Sequence, residues 1–269
     1  IWRELGVPEK RIARCPKKNN WWGPAGQTGP CGPDTEMFYW SGPGPAPEIF
    51  DPTDHRWLEI WNDVFMQYFK NDKGVYEPLA QKNVDTGMGL ERVAAIMQGK
   101  ESCYDTEIFT PIFEALDKAR GVNPPSERGR SERIIADHLR AATFMMADGV
   151  EPGNVDQSYV LRRIIRRAIR EGRRLGLAGD FTHILGAAVV DSFGEAYPEL
   201  VRHKDRIAEE FMREESQFAK TLEKGTREFE KLISRVPAHI QNKVVSGKNA
   251  FFLYETYGFP FELTVEMAA

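Results

Sequence analysis

The rhythm of hydrophobic and polar positions changes twice along these 269 residues. Residues 56–69, RWLEIWNDVFMQYF, are rich in aromatic and β-branched side chains and predict a strand. Counting by twos puts Ile60, Asn62, Val64 and Met66 on one face. The length and partial amphipathicity of the segment leave a helix as the alternative. YEPLAQKNVDTG (76–87) predicts a short second strand, and LERVAAIMQG (90–99) a helix closed by Gly99. Upstream, residues 14–54 are dense in Gly and Pro and predict loop. The opening IWRELGVPEKR predicts a helix already under way, as in a piece of something longer.

From Asp105 onward the period becomes helical. DTEIFTPIFEALDKARG and RSERIIADHLRAATFMMADG predict helices around a loop, VNPPSERG. SYVLRRIIRRAIREGRRLG follows, then further helices including the long, charged 205–236. Its Glu and Lys/Arg residues at helical spacing predict a solvated arm or strut. An α/β part thus precedes an all-α part, joined near residues 100–130.

Composition narrows the class. A hydrophobic fraction of 41% and a charged fraction of 28% suit a soluble globular protein. There is no apolar run of membrane-spanning length and no secretory signal pattern. Cys15, Cys31 and Cys103 are too few and too scattered for a disulfide framework, and read as ordinary thiols rather than a metal site. A cytoplasmic setting and no membrane partner are expected. The net charge of −4 argues against indiscriminate nucleic-acid binding but leaves room for a local basic stripe.

That stripe falls at 158–176. At 100° per residue, Leu161, Ile164, Ile165, Ala168, Ile169 and Leu175 share one arc. Arg162, Arg163, Arg166, Arg167, Arg170, Arg173 and Arg174 fill the other, with Glu171 near the border. Like charges on one face repel, so helix stability alone does not select them. They fit a phosphate-backbone contact surface, against the alternative of a merely solvated face. No aromatics interleave, which disfavours single-strand stacking.

Familiar nucleotide sites are excluded. GMGLER lacks the third glycine of a dinucleotide fingerprint. SGKN at 246–249 fails as a P-loop, since Asn242 replaces a glycine and Asn249 lacks the hydroxyl. His55, His138, His183, His203 and His239 are never four apart, so helical zinc pairs are absent. His138 reads as a core or network histidine. What remains is VDTGMGLER (84–92). Gly87 and Gly89 let backbone lie close to a flat ligand. Arg92 in a first helical turn suits a phosphate, and Asp85 suits an ammonium. The residues leave open an ordinary glycine turn with Arg92 in a surface salt bridge.

DTGMGLER resembles motif 3 of the class II aminoacyl-tRNA synthetases, in the form used by the alanyl-tRNA synthetase family. TGPCGPDTEMFY, EIWNDVFMQY, RIIADHLRAATFMMADGV, YVLRRIIRRAIREG and LYETYGFPFELT are similar to that family too, in its order. The resemblance implies an α+β fold. The C-terminal part of an antiparallel-sheet, adenylate-forming domain would occupy 1–118, and an all-α acceptor-stem domain 130–269. It implies that Asp85 binds the amino group of L-alanine and that Gly87 lines the pocket. Asn62 and Val64 would face the alanine, with Trp22, or Trp21, as a wall. Gly89 and Arg92 would bind ATP, Arg92 at the γ-phosphate, and Glu59 would contact Mg²⁺. Asp85 and Arg92 would be the catalytic pair.

On the helical side the resemblance implies tRNA(Ala) as partner. Asn154 would read the acceptor-stem G·U pair with Glu255, where the family often has aspartate. Such a pair leaves a guanine amino group in the wide RNA minor groove, open to an amide or carboxylate oxygen. Arg163, Arg166, Arg167 and Arg170 would contact RNA. Motifs 1 and 2 would precede Ile1, and the zinc-holding editing domain would follow Ala269, so this chain alone is expected not to form alanyl-adenylate. The other class of function open to it is a non-catalytic acceptor-stem binding module.

Overall fold

The computed structural model describes residues 1–177, 179–234 and 244–268. His239, Asn242 and the end of the 205–236 segment lie outside the described residues. The chain forms two compact units, Ile1–Ile108 and Phe109–Ala269.

The first unit is a four-stranded antiparallel sheet in the order β1-β2-β3-β4. Its strands are β1 (Trp21–Trp22), β2 (Gly29–Trp40), β3 (Trp57–Lys70) and β4 (Tyr76–Met88), followed by helix α1 (Leu90–Met97). The aromatic segment is therefore a strand, and the helical alternative is set aside. The β3–β4 turn is built by Asn71, whose Oδ1 accepts from the Lys73 and Val75 amides at 3.0 Å each.

Two expectations are corrected here. Residues 14–54 are not all loop, because β2 runs for 12 residues through the Gly- and Pro-rich text. Its register shifts between Cys31 and Asp34, and Gly32 and Pro33 fall in that irregular stretch. A Cβ on Gly32 would lie 1.8 Å from the Phe65 carbonyl oxygen, so backbone approach demands glycine there. Nor is the opening segment an α-helix. Gly6, at φ +88°, ends a single turn, and only a short 3₁₀ turn, Glu9–Arg11, follows Pro8.

Every described element of the second unit is helical: α2 (Thr110–Arg120), α3 (Arg130–Ala147), α4 (Asp156–Arg174), α5 (Thr182–Phe193), α6 (Pro198–Arg202), α7 (Lys204–Ser234), α8 (Gly247–Tyr257) and α9 (Phe261–Ala268). Helix α2 starts with Pro111 in its first turn and stops at Gly121, at φ +64°. The α3 N-terminus is closed by Glu132, which accepts from the Gly129 amide at 2.7 Å. Ile135 and Leu139 from α3, Leu161, Ile165 and Ile169 from α4, Leu185 and Val189 from α5, and Phe211 and Phe218 from α7 are fully buried. Each such side chain contributes about 1.5–3 kcal/mol.

The solvated-arm expectation for α7 is also corrected. Ile207, Phe211, Phe218 and Phe229 recur at helical spacing on a buried face. Its glutamates misled the reading, since Glu210, Glu214 and Glu215 are themselves buried and partnered rather than solvated. Near its C-terminal end α7 meets Leu253 and Phe259. Gly225 permits that contact: a Cβ there would fall 2.0 Å from the Phe259 ring.

Candidate functional site

Strand register assembles the first part of the site. Asn62 on β3 stands opposite Glu36 on β2 and Gly87 on β4. Val64 stands opposite Asp34 and Asp85. Directly opposed residues share a face, so six positions from three strands converge. A bulge adds a seventh. Pairing shifts between Met37 and Phe38, leaving Ile60 without a β2 partner and setting Glu59 opposite Phe38. Glu59 thus joins the Asn62 face in place of Ile60, which corrects the period-two count. That face borders a cleft of about 870 Å³, lined by Trp21, Trp22, Asp34, Glu36, Glu59 and Asn62 among others.

Carboxylates dominate this cleft. The Asn62 amide nitrogen donates to Glu36 Oε1 at 3.1 Å and to Asp34 Oδ2 at 3.3 Å. Burial, then the Glu59 and Asp34 carboxylates, push the Glu36 carboxyl up to about 7 against the hydrogen bond from Asn62. The Asn62 Oδ1 is buried. Both tryptophans line the cleft. Trp21 is fixed by Tyr68, at 5.7 Å between ring centroids, and by the Lys17 ammonium at 4.0 Å, whereas Trp22 is 40% exposed.

Asp85 is exposed, and its Oδ1 accepts from the Thr86 amide at 2.9 Å. A Cβ on Gly87 would meet nothing, so the fold does not require glycine there and open space lies above it. At Gly89 a Cβ would come within 3.1 Å of Arg92 Cδ. Arg92, at the start of α1, donates from Nη1 to the Glu59 carbonyl at 2.7 Å and lies 3.9 Å from its carboxylate. The salt-bridge alternative is thus present, with Arg92 as a half-exposed guanidinium at the start of a helix. Among the described residues, no group of three or more His, Cys, Asp or Glu side chains is arranged to hold a metal.

In the second unit the arginines divide. Arg163 and Arg167 face solvent. Arg166 turns inward, its Nε 2.5 Å from Glu214 Oε1 and its guanidinium over Phe218. Arg170 pairs with the buried Glu171 at 3.0 Å. A uniform outward surface is thus corrected to an exposed set, Arg163, Arg167, Arg173 and Arg174, and an inward set, Arg162, Arg166 and Arg170, because buried carboxylates on α7 and on α4 itself neutralise the inward members. Asn154, exposed before α4, accepts through Oδ1 from Arg162 Nη1. Glu255 is exposed on α8, next to Tyr254, whose hydroxyl lies 3.0 Å from that of Tyr159.

Sequence reasoning missed Asp34, Glu36 and Glu214, and gave Arg162 no role beyond the basic stripe. The first two alternate in DTE, a signal hidden by reading the segment as loop. His138 is a network residue, its Nδ1 2.9 Å from Asp137 Oδ2. The three cysteines are free thiols. No described helix is long and apolar enough to cross a membrane.

Residues 1–269 match a family model described as tRNA synthetases class II (A). An alanine–tRNA ligase of Treponema pallidum (strain Nichols) is 47% identical over 276 residues, covering 100% of this chain and 45% of that protein. One from Thermotoga maritima is 46% identical, over 100% of this chain and 31% of its own length. One from Borrelia hermsii (strain HS1 / DAH) is 45% identical, over 100% and 46%. The chain spans less than half the length of these relatives.

Proposed function

This chain belongs to the class II (A) tRNA synthetase family, and on that premise we propose that it is the part of an alanine–tRNA ligase that supplies one wall of the adenylate site and the acceptor-stem surface. The convergence of Asn62, Val64, Asp85 and Gly87 on one sheet face carries this reading. Asp85 accepts from the ammonium group of L-alanine. Val64 meets the methyl group, and the open space over Gly87 admits the substrate backbone. Trp22 closes the side of the cleft. Arg92, tethered to Glu59 at the α1 N-terminus, swings from that carboxylate to an ATP phosphate, as expected of a guanidinium beside a helix start.

Glu59 would offer one carboxylate to Mg²⁺, and that ion, when bound, would supply charge neutralisation at the ATP phosphates. Catalysis here is positioning and charge neutralisation. A methyl-sized pocket discriminates by only about 1–3 kcal/mol, so rejection of glycine or serine needs a second site. In the helical unit, Asn154 and Glu255 read the acceptor-stem G·U pair of tRNA(Ala), and Arg163 and Arg167 contact phosphates.

Alanine-dependent exchange of pyrophosphate into ATP, by the protein carrying this chain, tests the assignment. Asp85→Asn is expected to lower kcat/KM for alanine roughly 10- to 100-fold, the value of a hydrogen bond to a charged group. An exchange rate independent of alanine, or unchanged by the substitution, overturns it. Acceptor-stem binding without any exchange favours the non-catalytic module instead.

A further inference from the structure

Glu214 sits on α7 with 2% of its side chain exposed, and both its oxygens serve α4. Oε1 meets Arg166 Nε at 2.5 Å, and Oε2 lies 3.4 Å from Arg162 Nε. Arg162 then bonds onward to the loop before α4, and Arg166 lies beside the end of α8. Arg162 donates from Nη1 to Asn154 Oδ1 and from Nη2 to the Pro152 carbonyl at 3.1 Å, which fixes the loop before α4. Arg166 Nη1 lies 3.6 Å from the place a Cβ on Gly258 would take. Gly258 is the left-handed residue that ends α8, the helix of Glu255. One buried carboxylate therefore stands behind both residues assigned above to the RNA.

Neutralising α4 alone does not require this arrangement. Arg170 and Arg174 find their partner on their own helix in Glu171. Burying a carboxylate on a separate helix has a desolvation cost, and such groups are retained in some proteins because they fix one arrangement of elements. We infer that Glu214 is a positioning residue, which holds the Asn154 loop and the α8 end at a set separation so that the two grip an RNA base pair together. The inference rests on the assignment of Asn154 and Glu255 as RNA contacts.

Two measurements on the protein carrying this chain separate the inference from that assignment. The first needs no RNA: hydrogen exchange at the Gly153 amide, which donates to Ser158, and the Gly258 amide, which donates to Tyr254. Glu214→Gln is expected to speed exchange at both about tenfold, a fraction of a charged hydrogen bond's worth. Faster exchange at neither, or across α7 alone, overturns the inference. If Glu214→Gln fails to fold, Arg162→Gln is expected to speed exchange at Gly153 only and Arg166→Gln at Gly258 only; any other pattern overturns it.

The second measurement compares acceptor-stem duplexes carrying G·U or G·C. Glu214→Gln is expected to lower the preference for G·U about tenfold, with no further loss when Asn154→Ala is added. Equal weakening toward both duplexes, or additive losses, overturns the inference. A wild-type protein that does not distinguish the duplexes, while both amides still respond to Glu214→Gln, overturns the base-pair assignment and with it the role in RNA reading.

Discussion

Acidic side chains keep different company in the two units. In the sheet unit Asp34 and Glu36 both accept from the Asn62 amide, Asp34 also from that of Asn20, and burial with two further carboxylates raises Glu36 against its bond to Asn62. In the helical unit the buried carboxylates are matched to cations or to hydrogen-bond donors. Asp117 takes both ends of Arg128 at 2.7 Å each, and Glu132 takes Arg120 at 2.8 Å. Glu215 accepts from the Thr182 hydroxyl at 2.6 Å and from the amides of Phe181 and Thr182, at the start of α5. Charges that the fold satisfies hold elements together. Charges crowded against one another in a cleft wait for a ligand that satisfies them.

The strongest way to break this contrast is to remove a matched cation. Arg128→Ala strands the Asp117 carboxylate, whose side chain is 6% exposed. A loss of about 3–5 kcal/mol is expected in urea unfolding followed by a probe in the helical unit. A loss below about 1 kcal/mol would mean that the pair is ornament and that the contrast fails.

The arginines of α4 sharpen it further. For acceptor-stem binding, Arg163→Ala and Arg167→Ala are each expected to reduce the slope of log affinity against log salt by about 1. Arg170→Ala should leave the slope alone and lower the melting temperature instead. Equal slope changes for all three would return the inward arginines to the proposed RNA surface.

The smallest effect concerns Glu36. Its folded-state carboxyl titrates at about 7, above its ordinary value, so between the two the native protein binds more protons than the unfolded chain. Stability therefore falls as pH rises through that window. Because the group is only partly buried, the fall is of order 1 kcal/mol. Glu36→Gln should flatten that part of the stability–pH curve, and an unaltered curve would show that the crowding exerts no force.

Much of the sheet site was legible because period two is a local rule. It placed Asn62 and Val64 together from β3 alone. It failed at Ile60, since a bulge depends on the partner strand as much as on the strand that carries it. β2 was illegible for a related reason: Gly32 and Pro33 read as loop, and only the close approach of Phe65 explains the glycine. In α4, a helical projection separated apolar from charged positions correctly. It could not divide Arg163 from Arg166, because the deciding partner, Glu214, lies 48 residues from Arg166.

Gly225 sets local and global preferences against each other. In the middle of a 31-residue helix it weakens α7 by roughly 1 kcal/mol relative to alanine. It also leaves room for the buried Phe259 ring to lie against that helix. An alanine there would make α7 a better helix and a worse neighbour. Helicity and assembly would move in opposite directions, so a rise in helical content is no guide to whether α8 and α9 have kept their seat.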